Sequence, residues 1–195
     1  RTEQAGLSGQ IGGLNVEQAD YDNDGDVDLL ILRGAWMGEE GRIPNSLLRN
    51  EGNGTFVDVT RQSGLFTRHP SNSAAFADYN NDGWLDLFVG NESGRQPHAC
   101  QLFRNRGDGT FVDVAPSLGL DHVGFVKGVT WGDVDNDGLI DLYVSQFYQD
   151  NVLYRNMGEV EGAWRFTPST FMPGPDQSFS TWFWDYDNDG WLDLF

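Results

Sequence analysis

One nine-residue string occurs four times in this chain, and its period limits the fold more than any other feature. The copies are DYDNDGDVD (Asp20 to Asp28), DYNNDGWLD (Asp78 to Asp86), DVDNDGLID (Asp133 to Asp141) and DYDNDGWLD (Asp185 to Asp193). Their first Asp residues are 58, 55 and 52 residues apart. A repeat of that length signals an array of supersecondary units rather than a single intertwined core. The similarity extends past the acidic string. NSLLRNEGNGTFVDVT (Asn45 to Thr60) returns as ACQLFRNRGDGTFVDVA (Ala99 to Ala115), and more loosely as NVLYRNMG (Asn151 to Gly158) followed by WRFTP (Trp164 to Pro168). Gly-Leu pairs at Gly64-Leu65 and Gly119-Leu120 close two units, and TEQAGL (Thr2 to Leu7) matches TRQSGL (Thr60 to Leu65). Counted from the acidic string, the repeats run 20–77, 78–132 and 133–184, flanked by the end of a preceding unit at 1–19 and the start of another at 185–195. The expectation is a single repeat region that forms part of a longer array.

The segments around each string read as strands. SAAFAD (Ser73 to Asp78), VTWGD (Val129 to Asp133) and WFWD (Trp182 to Asp185) precede it; LLIL (Leu29 to Leu32), LFVG (Leu87 to Gly90) and LYVS (Leu142 to Ser145) follow. A third strand is LLRN, LFRN or LYRN. A tight Asn-Gly or Asp-Gly turn then leads to a fourth, TFVDV. No stretch holds a helical period. Four antiparallel strands in about 55 residues make one propeller blade, so the fold class is all-β, built of β-propeller blades with about 3.5 blades in this chain. A β-solenoid is the competing architecture, but its repeats are shorter.

Charge sharpens the reading. The chain of 195 residues has 30 acidic and 12 basic side chains, for a net charge of −18. Such a surface repels nucleic acid and anionic lipid. Solubility alone would draw on Glu as readily as Asp, yet 22 of the 30 acids are Asp and 16 of these lie in the four strings. Asp at positions 1, 3, 5 and 9 around a Gly at 6 gathers hard oxygen donors about one point, and the Gly lets position 7 turn its carbonyl inward. Ca²⁺ suits such a set; Mg²⁺ wants a stricter octahedron, and zinc or copper would want His or Cys. The competing reading is an Asp-rich solvated turn, which four copies in register make a poor explanation. An EF-hand would need a Glu at position 12 and flanking helices, and position 12 is Ile31, Val89 or Val144. The second string has Asn80 where the others have Asp, so its site is expected to be the weakest. Cys100, the one cysteine, reads as a small buried hydrophobe.

At these residues the sequence resembles the FG-GAP/VCBS repeat family, whose repeats build the seven-bladed propeller of integrin α subunits. The paired motifs also resemble cartilage acidic protein-like proteins. The Phe-Gly of the family name stands as Phe76-Ala77 and Trp131-Gly132, while the first repeat departs with Gln18-Ala19. The resemblance implies one calcium ion per string. Its ligands would be the side chains of Asp20, Asp22, Asp24 and Asp28; Asp78, Asn80, Asp82 and Asp86; Asp133, Asp135, Asp137 and Asp141; and Asp185, Asp187, Asp189 and Asp193. The position-7 carbonyls would come from Asp26, Trp84, Leu139 and Trp191.

The function expected is a calcium-binding, non-catalytic extracellular scaffold for adhesion or for protein or glycan interaction. Its display loops would be Gly34 to Pro44, Gly90 to His98 and Phe147 to Asn151. No nucleic-acid partner and no membrane insertion are expected. The alternative is the propeller part of a secreted polysaccharide lyase or hydrolase, for which the polar candidates outside the strings are His69, His98, Asp121, His122, Lys127 and Asp176. Two sequons stand at Asn53 and Asn91; the first falls in a tight turn and reads as a chance match, and Asn91 offers a glycosylation site.

Overall fold

The computed structural model describes residues 1–10, 12–169 and 178–195. Its first sheet takes β1 (Asn15–Ala19), β2 (Asp28–Leu32), β3 (Ser46–Asn50) and β4 (Phe56–Asp58) in that order. The second takes β5 (Ser71–Ala77), β6 (Asp86–Asn91), β7 (Gln101–Asn105) and β8 (Phe111–Asp113). The third takes β9 (Val126–Gly132), β10 (Asp141–Gln146), β11 (Val152–Val160) and β12 (Ala163–Ser169). A hairpin of β13 (Phe183–Trp184) and β14 (Asp193–Leu194) opens a fourth. Every pairing between these strands is antiparallel. These meanders are propeller blades, and each acidic string links the first strand of a blade to the second. A repeat counted from the string is therefore offset by one strand from the sheet that contains it.

The blades pack face to face. In β6, Leu87 and Val89 join the cluster shared with the first blade, together with Leu30, Leu32, Leu47 and Phe103. Phe88, on the opposite face, joins the cluster shared with the third blade, together with Leu102, Val126, Leu142 and Tyr154. Period-two alternation thus feeds two cores from one strand, and each fully buried Leu or Phe contributes about 1.5–3 kcal/mol. Cys100 lies within the second of these cores, where burial pushes its thiol up to about 12.

The first repeat's departure has a visible effect. Gln18, Phe76 and Trp131 occupy one register position, opposite Leu29, Leu87 and Leu142. Phe76 packs on a core cluster, and Trp131 packs edge-on to Phe88. Gln18 is exposed, yet β1 still pairs with β2 along its whole length. In the third blade the sequence insertion lengthens the outer hairpin, and β11 and β12 turn at Glu161 and Gly162, both at positive φ. Among the described residues, no helix is long and apolar enough to cross a membrane.

Candidate metal centre

Each acidic string folds by the same hydrogen bonds, and the sequence explains why. The carboxylate at position 1 accepts two backbone N–H groups, from positions 5 and 6. In the first loop Asp24 N and Gly25 N reach Asp20 at 3.1 and 2.9 Å. The same pairs recur at Asp78, Asp133 and Asp185. The carboxylate at position 5 accepts the N–H of position 7, at 2.9–3.0 Å in all four loops. Such closure needs left-handed backbone at positions 4 and 6. Asn23, Asn81, Asn136 and Asn188 supply the first at φ 53–58°, and glycine supplies the second at 87–93°.

Position 9 is the anchor. Asp28, Asp86 and Asp141 begin the second strand of their blades, buried, and each accepts a 2.8 Å bond from a third-strand backbone N–H, that of Asn50 or Asn105 at the strand's end or of Asn156 within β11. Burial raises these carboxyls, Asp28 to about 6 and Asp86 to about 7; Asp141 is raised by the same cause. Burial also raises Asp22, followed by the charges of Asp24 and Asp20.

The fold brings positions 1, 3 and 9 together. Asp20, Asp22 and Asp28 have oxygens within 4.8 Å of one another, as do Asp133, Asp135, Asp141 and Asp185, Asp187, Asp193. The position-5 residues Asp24, Asp137 and Asp189 lie outside those trios. In the second loop, Asn80 donates to Asp82 at 2.9 Å. The position-7 side chains cover the glycine two residues past each Arg-Asn pair. A Cβ on Gly52, Gly107 or Gly158 would strike Asp26, Trp84 or Leu139 at 2.5, 2.7 or 3.2 Å.

The donor set fits a hard cation. Oδ1 of Asp22, Oδ1 of Asp135 and Oδ2 of Asp86 are buried and have no partner in the protein. A buried carboxylate oxygen without a donor is costly, and a divalent ion is the natural remedy. The third loop also holds a guanidinium: Arg155 pairs with Asp135, and its Nε lies 3.2 Å from Asp141.

Two sets of asparagines missed by sequence reading stitch one loop to the next. At position 4, the side chains of Asn23, Asn81 and Asn136 donate to the carbonyls of Gly83, Gly138 and Gly190 in the following loop, at 3.1, 3.4 and 3.0 Å. On the third strands, Asn105 and Asn156 donate back to Tyr21 O and Tyr79 O of the preceding loop, at 2.8 and 2.9 Å. The available signal was their recurrence: every string carries Asn at position 4, and every third strand carries an Arg-Asn pair.

The polar candidates outside the loops are engaged separately. His69 and His98 meet through their Nδ1 atoms at 3.2 Å. His122 lies between Gln146 and the Tyr154 hydroxyl. Lys127 is buried against Glu92 with its Nζ 3.1 Å from the Trp36 ring centroid. Asp176 lies outside the described residues. The sequon at Asn91 is closed, because that side chain is buried and bonded to Ala99 O and Ser71. The loops from Gly34, Gly90 and Phe147 connect second to third strands, at the blade end opposite the acidic loops. There Trp36 and Tyr148 are 56% and 71% exposed.

Comparison with known proteins matches the FG-GAP-like repeat model at residues 20–89, 86–144 and 133–195. Cartilage acidic protein 1 of Homo sapiens is 31% identical over 156 residues, which is 78% of this chain and 21% of that protein. Its Mus musculus counterpart is 35% identical over 115 residues, 58% of this chain and 17% of that protein. The Xenopus tropicalis protein is 36% identical over 120 residues, 59% and 18% respectively. This chain thus spans about a fifth of the length of the relatives it matches.

Proposed function

Since this chain belongs to the FG-GAP-like repeat family, we propose that it is a calcium-loaded, non-catalytic scaffold working outside the cell. The observation that carries this reading is the recurring trio of carboxylates at positions 1, 3 and 9, with buried oxygens that no protein donor reaches. The ions would be held by the side chains at positions 1, 3, 5 and 9 and the carbonyl at position 7 of each loop. Four ions would bring the formal charge from −18 to about −10. Each would stabilise the fold by about 2.7 kcal/mol at a hundredfold excess over its Kd. Modules of this kind suit compartments where free calcium is high, which supports a location outside the cell or in the periplasm.

The second-to-third strand loops, with exposed Trp36 and Tyr148, are the surface offered to an extracellular protein or glycan partner. The lyase or hydrolase alternative requires polar groups converging on one site, whereas His69, His98, His122 and Lys127 are engaged in separate contacts. Calorimetric titration with calcium, repeated with magnesium, tests the proposal. It expects about four calcium ions per chain, the second loop weakest, and much weaker magnesium binding. A chain that takes up no calcium and gains no thermal stability from it would overturn the reading.

A further inference from the structure

The acidic loops are tied to one another in a way their ligand string does not require. Two hydrogen-bonded routes join the first loop to the second. In one, Asn23, set between Asp22 and Asp24, donates to Gly83 O. The same peptide unit carries Trp84 N–H, which donates to Asp82 Oδ1 at 3.0 Å. In the other, Tyr21 N donates to Asp28 Oδ2 at 3.3 Å, and Tyr21 O accepts from the Asn105 side chain. Asn105 N in turn donates to Asp86 Oδ1 at 2.8 Å. Each route therefore begins beside a carboxylate of one cage and ends on a carboxylate of the next.

The junction between the second and third loops repeats the first route, and the second from the tyrosine carbonyl onward. Asn81 donates to Gly138 O, and Leu139 N donates to Asp137 Oδ1 at 2.9 Å. Asn156 donates to Tyr79 O and, from its backbone, to Asp141 Oδ1. The first route continues to the fourth loop through Asn136, Gly190 O and the Trp191 N–H on Asp189.

We infer that these asparagines couple neighbouring cation cages, so that an ion in one loop raises the affinity of the next. The physical basis is shared ordering. An ion that fixes positions 3 and 9 of one loop also fixes the peptide units and asparagine amides leading into its neighbour, and the second ion meets a junction already ordered. The second loop gains most, because Asn80 leaves it poorest in charge and it lies between two carboxylate-richer loops. This inference rests on the calcium reading.

The test is a calcium titration of the 195-residue chain followed by NMR, using the amide resonances of Gly25, Gly83, Gly138 and Gly190 as one reporter per loop. Asp133→Asn disables the third loop. Coupling predicts that it raises the calcium midpoints at Gly83 and Gly190 about fivefold, with Gly25 moving less than twofold. Asn81→Gly keeps the left-handed backbone and removes one amide link. Coupling predicts that the shift at Gly83 caused by Asp133→Asn then shrinks at least twofold. Calcium binding with Gly83 and Gly190 unmoved by Asp133→Asn would overturn the coupling and leave the cages standing. An undiminished shift in the Asn81→Gly background would remove that asparagine's role as a link. A wild-type chain whose four glycines ignore calcium would overturn both readings.

Discussion

The first and third acidic loops share a ligand string and a backbone fold, yet their neighbouring arginines behave oppositely. Arg49, at the end of β3, turns away to Glu51, with Nη2 and Nε at 2.7 and 2.9 Å from one carboxylate oxygen. Arg155, at the matching place in β11, leans on Asp135 and Asp141. Two residues beyond Arg49 stands Glu51; two beyond Arg155 stands Met157, which offers no charge. Glu51 thus holds Arg49 in an ion pair outside the first cage, though its charge still opposes the rise of Asp22, whereas Arg155 pairs within the third cage. Carboxylate count alone does not rank the sites.

The comparison breaks most readily on stability. With calcium in hundredfold excess, Asp20→Asn in the first loop is expected to lower Tm by about 5–10 °C, from about 2.7 kcal/mol at 2–4 °C per kcal/mol for a chain of this size. Asp133→Asn is expected to cost less than half of that, because Arg155 already neutralises part of the third cage. Calorimetric scans that show equal losses would erase the distinction.

A finer test swaps the arginines' fates. Arg155→Met should tighten calcium binding at the third loop about fivefold, the scale of one partly exposed ion pair near 1 kcal/mol. Glu51→Met should free Arg49 to lean inward and loosen the first loop by about twofold to fivefold. Titrations in which neither affinity moves would show the arginines to be spectators.

The smallest effect is in pH. Asp86 is raised to about 7 and Asp28 to about 6, both by burial, against about 3.9 in the unfolded chain. Between pH 4 and 7 these two carboxyls thus hold more protons in the calcium-free folded state than in the unfolded state, and their contribution to stability falls as pH rises through that window, opposed in part by His69 and His98, which burial lowers. Calcium binds the ionised form, so acidification from pH 7.5 to 5.5 should weaken the second loop more than the first. Urea midpoints in chelator at pH 5 and 7.5 check the sign; a calcium-free chain that is more stable at the higher pH contradicts it.

Much of this architecture was legible in the residues, for local reasons. Leu87 to Gly90 lie within β6 and Leu142 to Ser145 within β10, because apolar runs bounded by Asp-Gly turns are strand signals in any context. The expected TFVDV strands are shorter in the structure, Phe56–Asp58 and Phe111–Asp113. Asp58 and Asp113 bend the chain by accepting the N–H groups of Thr60 and Ala115. The trios at positions 1, 3 and 9 follow from spacing, but the exclusion of position 5 from them does not, since it depends on which N–H groups reach which oxygens. The stitching asparagines were legible only as turn and strand-end residues. Their partners lie 54 to 84 residues away, and no local pattern says which loop will abut which.

The corner at the fourth position admits very few spellings. Glycine would make the bend but has no amide to give; aspartate would make it and aim an acceptor at a carbonyl; the longer glutamine reaches differently and resists the bend. Asparagine alone among the common residues both turns left and donates. A lineage drifting at this position could keep every cage intact and still lose the conversation between them, so repeats that retain asparagine there are the ones to examine for concerted loading.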